Sequence, residues 1–212
     1  MCIRDSDERV AVDGGRRLEL AVLSGEDALA LIALTLPALP PAVAARLATA
    51  VGYHPLALEI TVGDLASYGP DEWAGLVAQI ESSVKDGLSL DGAPLPDDVA
   101  RERRLEVVLR YSYDALGRAP DGAALQRCFR GLGCLAHEAD FATDAAAALW
   151  AEAITAAQAR LNVFAARSLL RRQADGRWRQ HGILRGFALR LQSAEERERL
   201  SLIHISEPTR PY

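Results

Sequence analysis

The chain has 212 residues, half of them hydrophobic, and a formal net charge of −5 from 24 basic and 29 acidic side chains. That length can bury a sizeable core, as one domain or as two small ones. The mildly acidic balance argues against non-specific nucleic-acid binding, which needs a basic surface, and no apolar run reaches the ~20 residues that span a bilayer.

Alanine and leucine are abundant and aromatics are few, so helices should dominate. Nearly every base is arginine, with Lys85 the only lysine, a bias typical of a GC-rich bacterial genome. Cys128 and Cys134 read as reduced thiols of a cytoplasmic protein, not as a disulfide framework.

The two ends read as foreign. Met1-Cys2-Ile3-Arg4-Asp5-Ser6 resembles a translated sequencing-library adapter, and residues 200–212 resemble its opposite strand with a primer tail. Such segments are set aside before fold reasoning. Residues 1–6 and 200–212 are therefore expected to be adapter artefact, and the rest an internal piece of a longer protein.

Residues 7–23 contain short strand-like pieces around Asp13-Gly14-Gly15. Ser24-Gly25-Glu26-Asp27 is a capping signature, and Ala28, Leu31, Ile32 and Leu34 follow at helical spacing. Pro37, Pro40 and Pro41 end that helix and open another over Ala42–Val51, which Gly52 stops. Pro55 starts the next, with Leu58, Val62 and Leu65 facing inward, because a proline suits a helix's first turn. Pro70 opens a fourth helix carrying Trp73, Leu76, Val77 and Ile80. Residues 24–83 thus form a small helical bundle.

Residues 84–98 are rich in Gly, Pro, Asp and Ser and read as a linker and plausible hinge. Helical pattern resumes over Val99–Leu116, then over Pro120–Cys134, Asp144–Trp150 and Ala153–Asn162. The period then changes. Ser168–Gln173, the turn Ala174-Asp175-Gly176 and Arg177–Gln180 read as a β-hairpin. A last helix spans about Ile183–Leu191, with residues 193–199 as its tail. Helices, a two-stranded wing and a further helix describe a winged helix over residues 99–192, so the fold class is mainly α.

Several motifs together resemble the C-terminal part of NB-ARC domains, the nucleotide switches of STAND-class signalling ATPases. Gly52-Tyr53-His54-Pro55-Leu56 resembles the family's glycine–proline element. Leu109-Arg110-Tyr111-Ser112-Tyr113-Asp114-Ala115-Leu116 resembles its conserved Ser-Tyr-Asp helix, and Gln126–Gly133 resembles the helix that follows. Leu169-Leu170 opens the wing, and Gln180-His181-Gly182 stands where the family has Met-His-Asp, with Gln in place of Met and Gly in place of Asp.

The resemblance implies a trailing edge of the nucleotide domain at 7–23, a helical lid at 24–83 and the winged helix at 99–192. It also implies ADP or ATP as ligand, with Gly52, Pro55 and Leu56 beside the base or ribose and His181 on the β-phosphate. A phosphate would favour the charged, doubly donating imidazole. Partners implied are an upstream P-loop domain that also holds Mg²⁺, further copies of the chain in the ATP-bound state, and a downstream repeat sensor.

No Gly-x-x-x-x-Gly-Lys-[Ser/Thr] occurs here, so this segment lacks the family's means of hydrolysis, although the parent is expected to be an ATPase. Two other readings stand beside the switch: a winged-helix DNA-binding regulator, and a structural helical adaptor. Elsewhere, His137, Glu138 and Asp140 lack metal-ligand spacing and read as a solvated loop. Arg101-Glu102-Arg103-Arg104 reads as an exposed helix face.

Overall fold

A computed structural model describes residues 22–88, 95–136 and 139–205. The strand-like pieces expected around Asp13-Gly14-Gly15 lie outside the described residues, as do His137 and Glu138.

Prolines set the register of the first helices. Helix α1 spans Gly25–Thr35, capped by Ser24, whose Oγ accepts the Asp27 N–H at 3.1 Å while Asp27 takes the hydroxyl proton at 2.7 Å. Helix α2 (Pro41–Ala50) and helix α3 (Pro55–Leu65) each begin on a proline, whose missing N–H has no helical acceptor at that position. Helix α4 (Pro70–Leu88) runs further than its composition suggests. Helix α5 begins at Asp97 and ends at Leu116. The expected linker therefore shrinks at both ends: Lys85–Leu88 extend α4, and Asp97 already belongs to α5.

The chain continues as α6 (Gly122–Leu132), α7 (Thr143–Trp150) and α8 (Ile154–Ala166). A short antiparallel hairpin follows, β1 (Arg171–Arg172) and β2 (Trp178–Arg179), with Arg171 opposite Arg179. Phe141 bridges to Trp178 on the other side of β2. Helices α9 (Gly182–Leu191) and α10 (Ala194–Ile205) complete the fold. α10 runs beyond the expected tail into the segment read as adapter, and Leu200 is buried. The structure is thus mainly helical, with one small two-stranded antiparallel sheet among the described residues.

One continuous core joins the elements. Ile32, Leu47, Leu58, Ile60, Leu65 and Ile80 fill the first half, and Leu116, Phe129, Leu132, Leu161, Phe164 and Trp178 fill the second. Leu34 departs from expectation. It is 84% exposed, because α1 packs through Ala28 and Ile32 and turns Leu34 away. Helix α3 is buried on every side from Leu56 to Leu65 except at Glu59, as expected for a helix that is apolar all round. It lies between α1 and α5, so its two ends reach elements far apart in sequence. Among the described residues, no helix is long and apolar enough to cross a membrane.

Candidate functional site

The turn between α2 and α3 is built by the backbone. Gly52 takes φ +65° at the end of α2, the left-handed conformation that glycine adopts without penalty. Its N–H reaches Thr49 O at 3.1 Å and the Tyr53 N–H reaches Ala48 O at 3.0 Å, the paired bonds of a Schellman cap. Tyr53 also has a positive φ, +57°, and its hydroxyl lies 3.2 Å from Thr49 Oγ1. A second constraint holds position 52: a Cβ there would stand 3.1 Å from Arg104 Cδ. The polypeptide arrives at this turn from upstream, for the Leu23 N–H donates to Tyr53 O at 3.1 Å.

His54 then caps α3. Its Nδ1 accepts the Ala57 N–H at 3.4 Å, Pro55 occupies the first helical position half-buried, and Leu56 is buried behind it. His181 does the same for α9, its Nδ1 accepting the Ile183 N–H at 3.2 Å. Gly182 has no side chain to cap with, so the preceding imidazole takes over that task.

The two caps feel one another. Burial pushes the His54 pKa below its ordinary value, and the charges of Arg101 and His181 lower it further. This corrects one expectation. Arg101–Arg104 is not a purely solvated face: Arg104 lies against Gly52, Arg103 donates to Gly87 O at 3.2 Å, and Arg101 bears on His54. The Nδ1 of His181 uses its lone pair for Ile183, so a doubly donating imidazole would give up that cap.

Gly52, Pro55 and Leu56 thus lie at the α2–α3 turn, with Leu56 in the wall and not at the surface, and His181 at the start of α9, within electrostatic reach of His54. Helix N-termini favour anions, since their free N–H groups carry partial positive charge. Arg104 and Arg101 were missed in the sequence. Their spacing from the glycine–proline element gives no signal until α5 is docked against α3.

Other features carry less chemistry. A cleft of about 840 Å³ lies between α4, α5 and α9, away from the histidine caps. Its arginines are committed: Arg103 to Glu106, Arg110 to Asp114, Arg118 over the Tyr111 ring and Arg190 over Phe187. Asp140 is paired with Arg179 at 2.6 Å and so does not belong to a loop of free acids. No cluster among the described residues could hold a metal ion. Trp73 donates to Leu65 O, Trp150 to Cys128 O and Trp178 to Thr143 Oγ1, all structural contacts. Cys128 and Cys134 are not disulfide-bonded, Cys134 Sγ accepts from Gln192 Nε2 at 3.3 Å, and burial pushes Cys128 up to about 11.

Compared with known proteins, the chain matches no protein-family model and no curated protein.

Proposed function

We propose that this chain is the lid and winged-helix portion of a nucleotide-operated signalling switch of the NB-ARC type. The reading rests on His54-Pro55 and His181 each starting a helix within electrostatic reach of the other, with the upstream polypeptide arriving beside the first of them. A nucleotide held by an upstream P-loop domain would rest its base or ribose on Pro55 and present a phosphate to His181. Mg²⁺ would be supplied with that upstream domain. The bridge from Phe141 to Trp178 beside the hairpin supports a winged-helix arrangement of α6–α9. A change from ADP to ATP would alter the contacts that the two halves make with the ligand, and a ligand shifts such an equilibrium only through that difference. The opened form would then expose surfaces for self-association, and a downstream sensor would bias the opening.

The DNA-binding alternative is less well supported. Helix α8, which precedes the wing, carries Arg160 as its one base, and that guanidinium is paired with Glu152 and Asp121 at 2.7 Å each.

The uninterrupted reading frame is the first test, since the switch requires a phosphate-binding loop upstream and the adaptor reading does not. The second is the release rate of a fluorescent ADP analogue from the full-length protein. His181→Ala is expected to speed release about tenfold, the worth of one charge-assisted hydrogen bond. An unchanged rate would remove His181 from the site.

A further inference from the structure

The cleft of about 840 Å³ between α4, α5 and α9 takes no part in the switch reading, and its charge is uneven. Arg103, Val107, Arg110 and Asp114 recur at helical spacing on α5, so one stripe of that helix lines the cleft. Phe187 and Leu191 of α9 line the other side. From Arg103 to Arg118 the lining runs for about 22 Å, at the helical rise of about 1.5 Å per residue. The cleft is therefore long, open along its length, and partly apolar.

The whole chain is acidic, yet four guanidiniums line this cleft against two carboxylates, those of Glu106 and Asp114. Charges beyond ~8 Å are screened at physiological ionic strength, so the local excess decides what the cleft attracts. Intramolecular contacts hold the arginines without neutralising them all. Arg103 pairs with Glu106 at 2.9 Å and Arg110 with Asp114 at 3.4 Å, both within α5 and with every partner more than 40% exposed. Pairs so exposed hold weakly. Arg118 and Arg190 are placed by aromatic rings instead, 5.3 Å from the Tyr111 centroid and 5.8 Å from that of Phe187. Arg118 also interacts with the Tyr111 and Tyr68 hydroxyls, which are neutral. A ring takes one face of a guanidinium and leaves N–H edges that match a carboxylate's two oxygens. Both side chains are exposed.

We propose that this cleft is a docking groove for an acidic peptide segment, whose carboxylates Arg118 and Arg190 take while its apolar side chains rest on Val107, Tyr111, Phe187 and Leu191. The guanidiniums are spread along the groove, so a row of carboxylates engages them together and one small anion does not. About seven extended residues cover the length. Arginine beside exposed aromatic surface is also the composition that protein-recognition surfaces favour. A segment bound there bridges α4 of the first half to α9 of the second. The docking does not depend on a nucleotide.

Fluorescence anisotropy of the full chain tests it, with a labelled peptide of alternating glutamate and leucine and its glutamine–leucine counterpart. The glutamate peptide is expected to bind at least about tenfold more tightly, the worth of one charge-assisted hydrogen bond, and to weaken as salt rises. Arg118→Gln and Arg190→Gln should each cost about tenfold and the double variant about a hundredfold. Arg46→Gln removes the same charge from α2, outside the cleft, and should stay within about twofold of wild type. The peptide comparison and the salt series use the wild type and so need no variant to fold. Equal binding of the two peptides, or an unchanged affinity in the double variant, would overturn the groove. So would displacement of the peptide by inorganic phosphate at matched ionic strength, which would mark a site for small anions.

Discussion

Helix α3 carries an ionisable side chain at each end, and the same burial moves the two in opposite directions. At the N-terminal end burial lowers the His54 pKa, with Arg101 and His181 adding to the effect. Near the C-terminal end burial raises Asp64 to about 6, although Ser112 and Arg167 pull the other way. Burial disfavours charge of either sign, so both groups are driven toward neutrality. The consequences differ. Neutral His54 keeps the Nδ1 lone pair that caps the helix, whereas a neutral Asp64 gives up the charge attraction in its bond with Arg167.

The largest effect should come from breaking the Asp64 end. Arg167→Ala leaves a buried carboxylate without its counter-ion and is expected to destabilise the chain by about 3–5 kcal/mol. Urea denaturation followed by tryptophan fluorescence measures it. A loss below about 1 kcal/mol, as for an exposed pair, would mean that water already satisfies Asp64.

Acid sharpens the comparison. The stability that His54 gives is present above its unfolded value of 6.5 and lost as pH falls through its lower folded value. The stability tied to Asp64 is present below 3.8 and lost as pH rises through about 6. In His54→Asn, which preserves a cap, only the Asp64 linkage remains. Acidifying that variant from pH 7 to pH 5 should raise its stability by about 1 kcal/mol. Asp64→Asn should weaken over the same interval. Urea midpoints moving in the same direction in both variants would break the opposition.

The smallest effect belongs to the second capping histidine. His181 is exposed, so His181→Ala should lower stability by about 0.5 kcal/mol, the low end for a lost N-cap. The His54 titration, followed by NMR, should also shift upward in that variant, because one of the charges depressing it is gone. An unmoved midpoint would separate the two caps and with them the proposed site.

Much of the helical frame could be read from local chemistry. Pro41, Pro55 and Pro70 each start a helix, Ser24 caps one, and the turn containing Gly176 joins the hairpin. These signals lie within a few residues of the feature they specify. What escaped was long-range. Leu34 repeats the helical period, yet nothing local says that α1 meets its neighbours through Ala28 and Ile32 instead. Lys85–Leu88 look like linker but extend α4, beside the Val107 side chain that Gly87 meets. Asp64 left no such trace, for Glu59 on the same helix stays partly exposed while Asp64 is buried. The site was half legible. Pro55 and His181 were recognisable by pattern, whereas Arg101 and Arg104 acquire meaning only through the packing of α5 on α3.

The backbone bond from Leu23 to Tyr53 has a mechanical consequence. Leu23, just before helix α1, is tethered to the left-handed turn at 52–53, so a pull on the upstream chain is delivered to that bend. Strain applied there would tilt the start of α3 as a lever, long before any contact farther along that helix gave way.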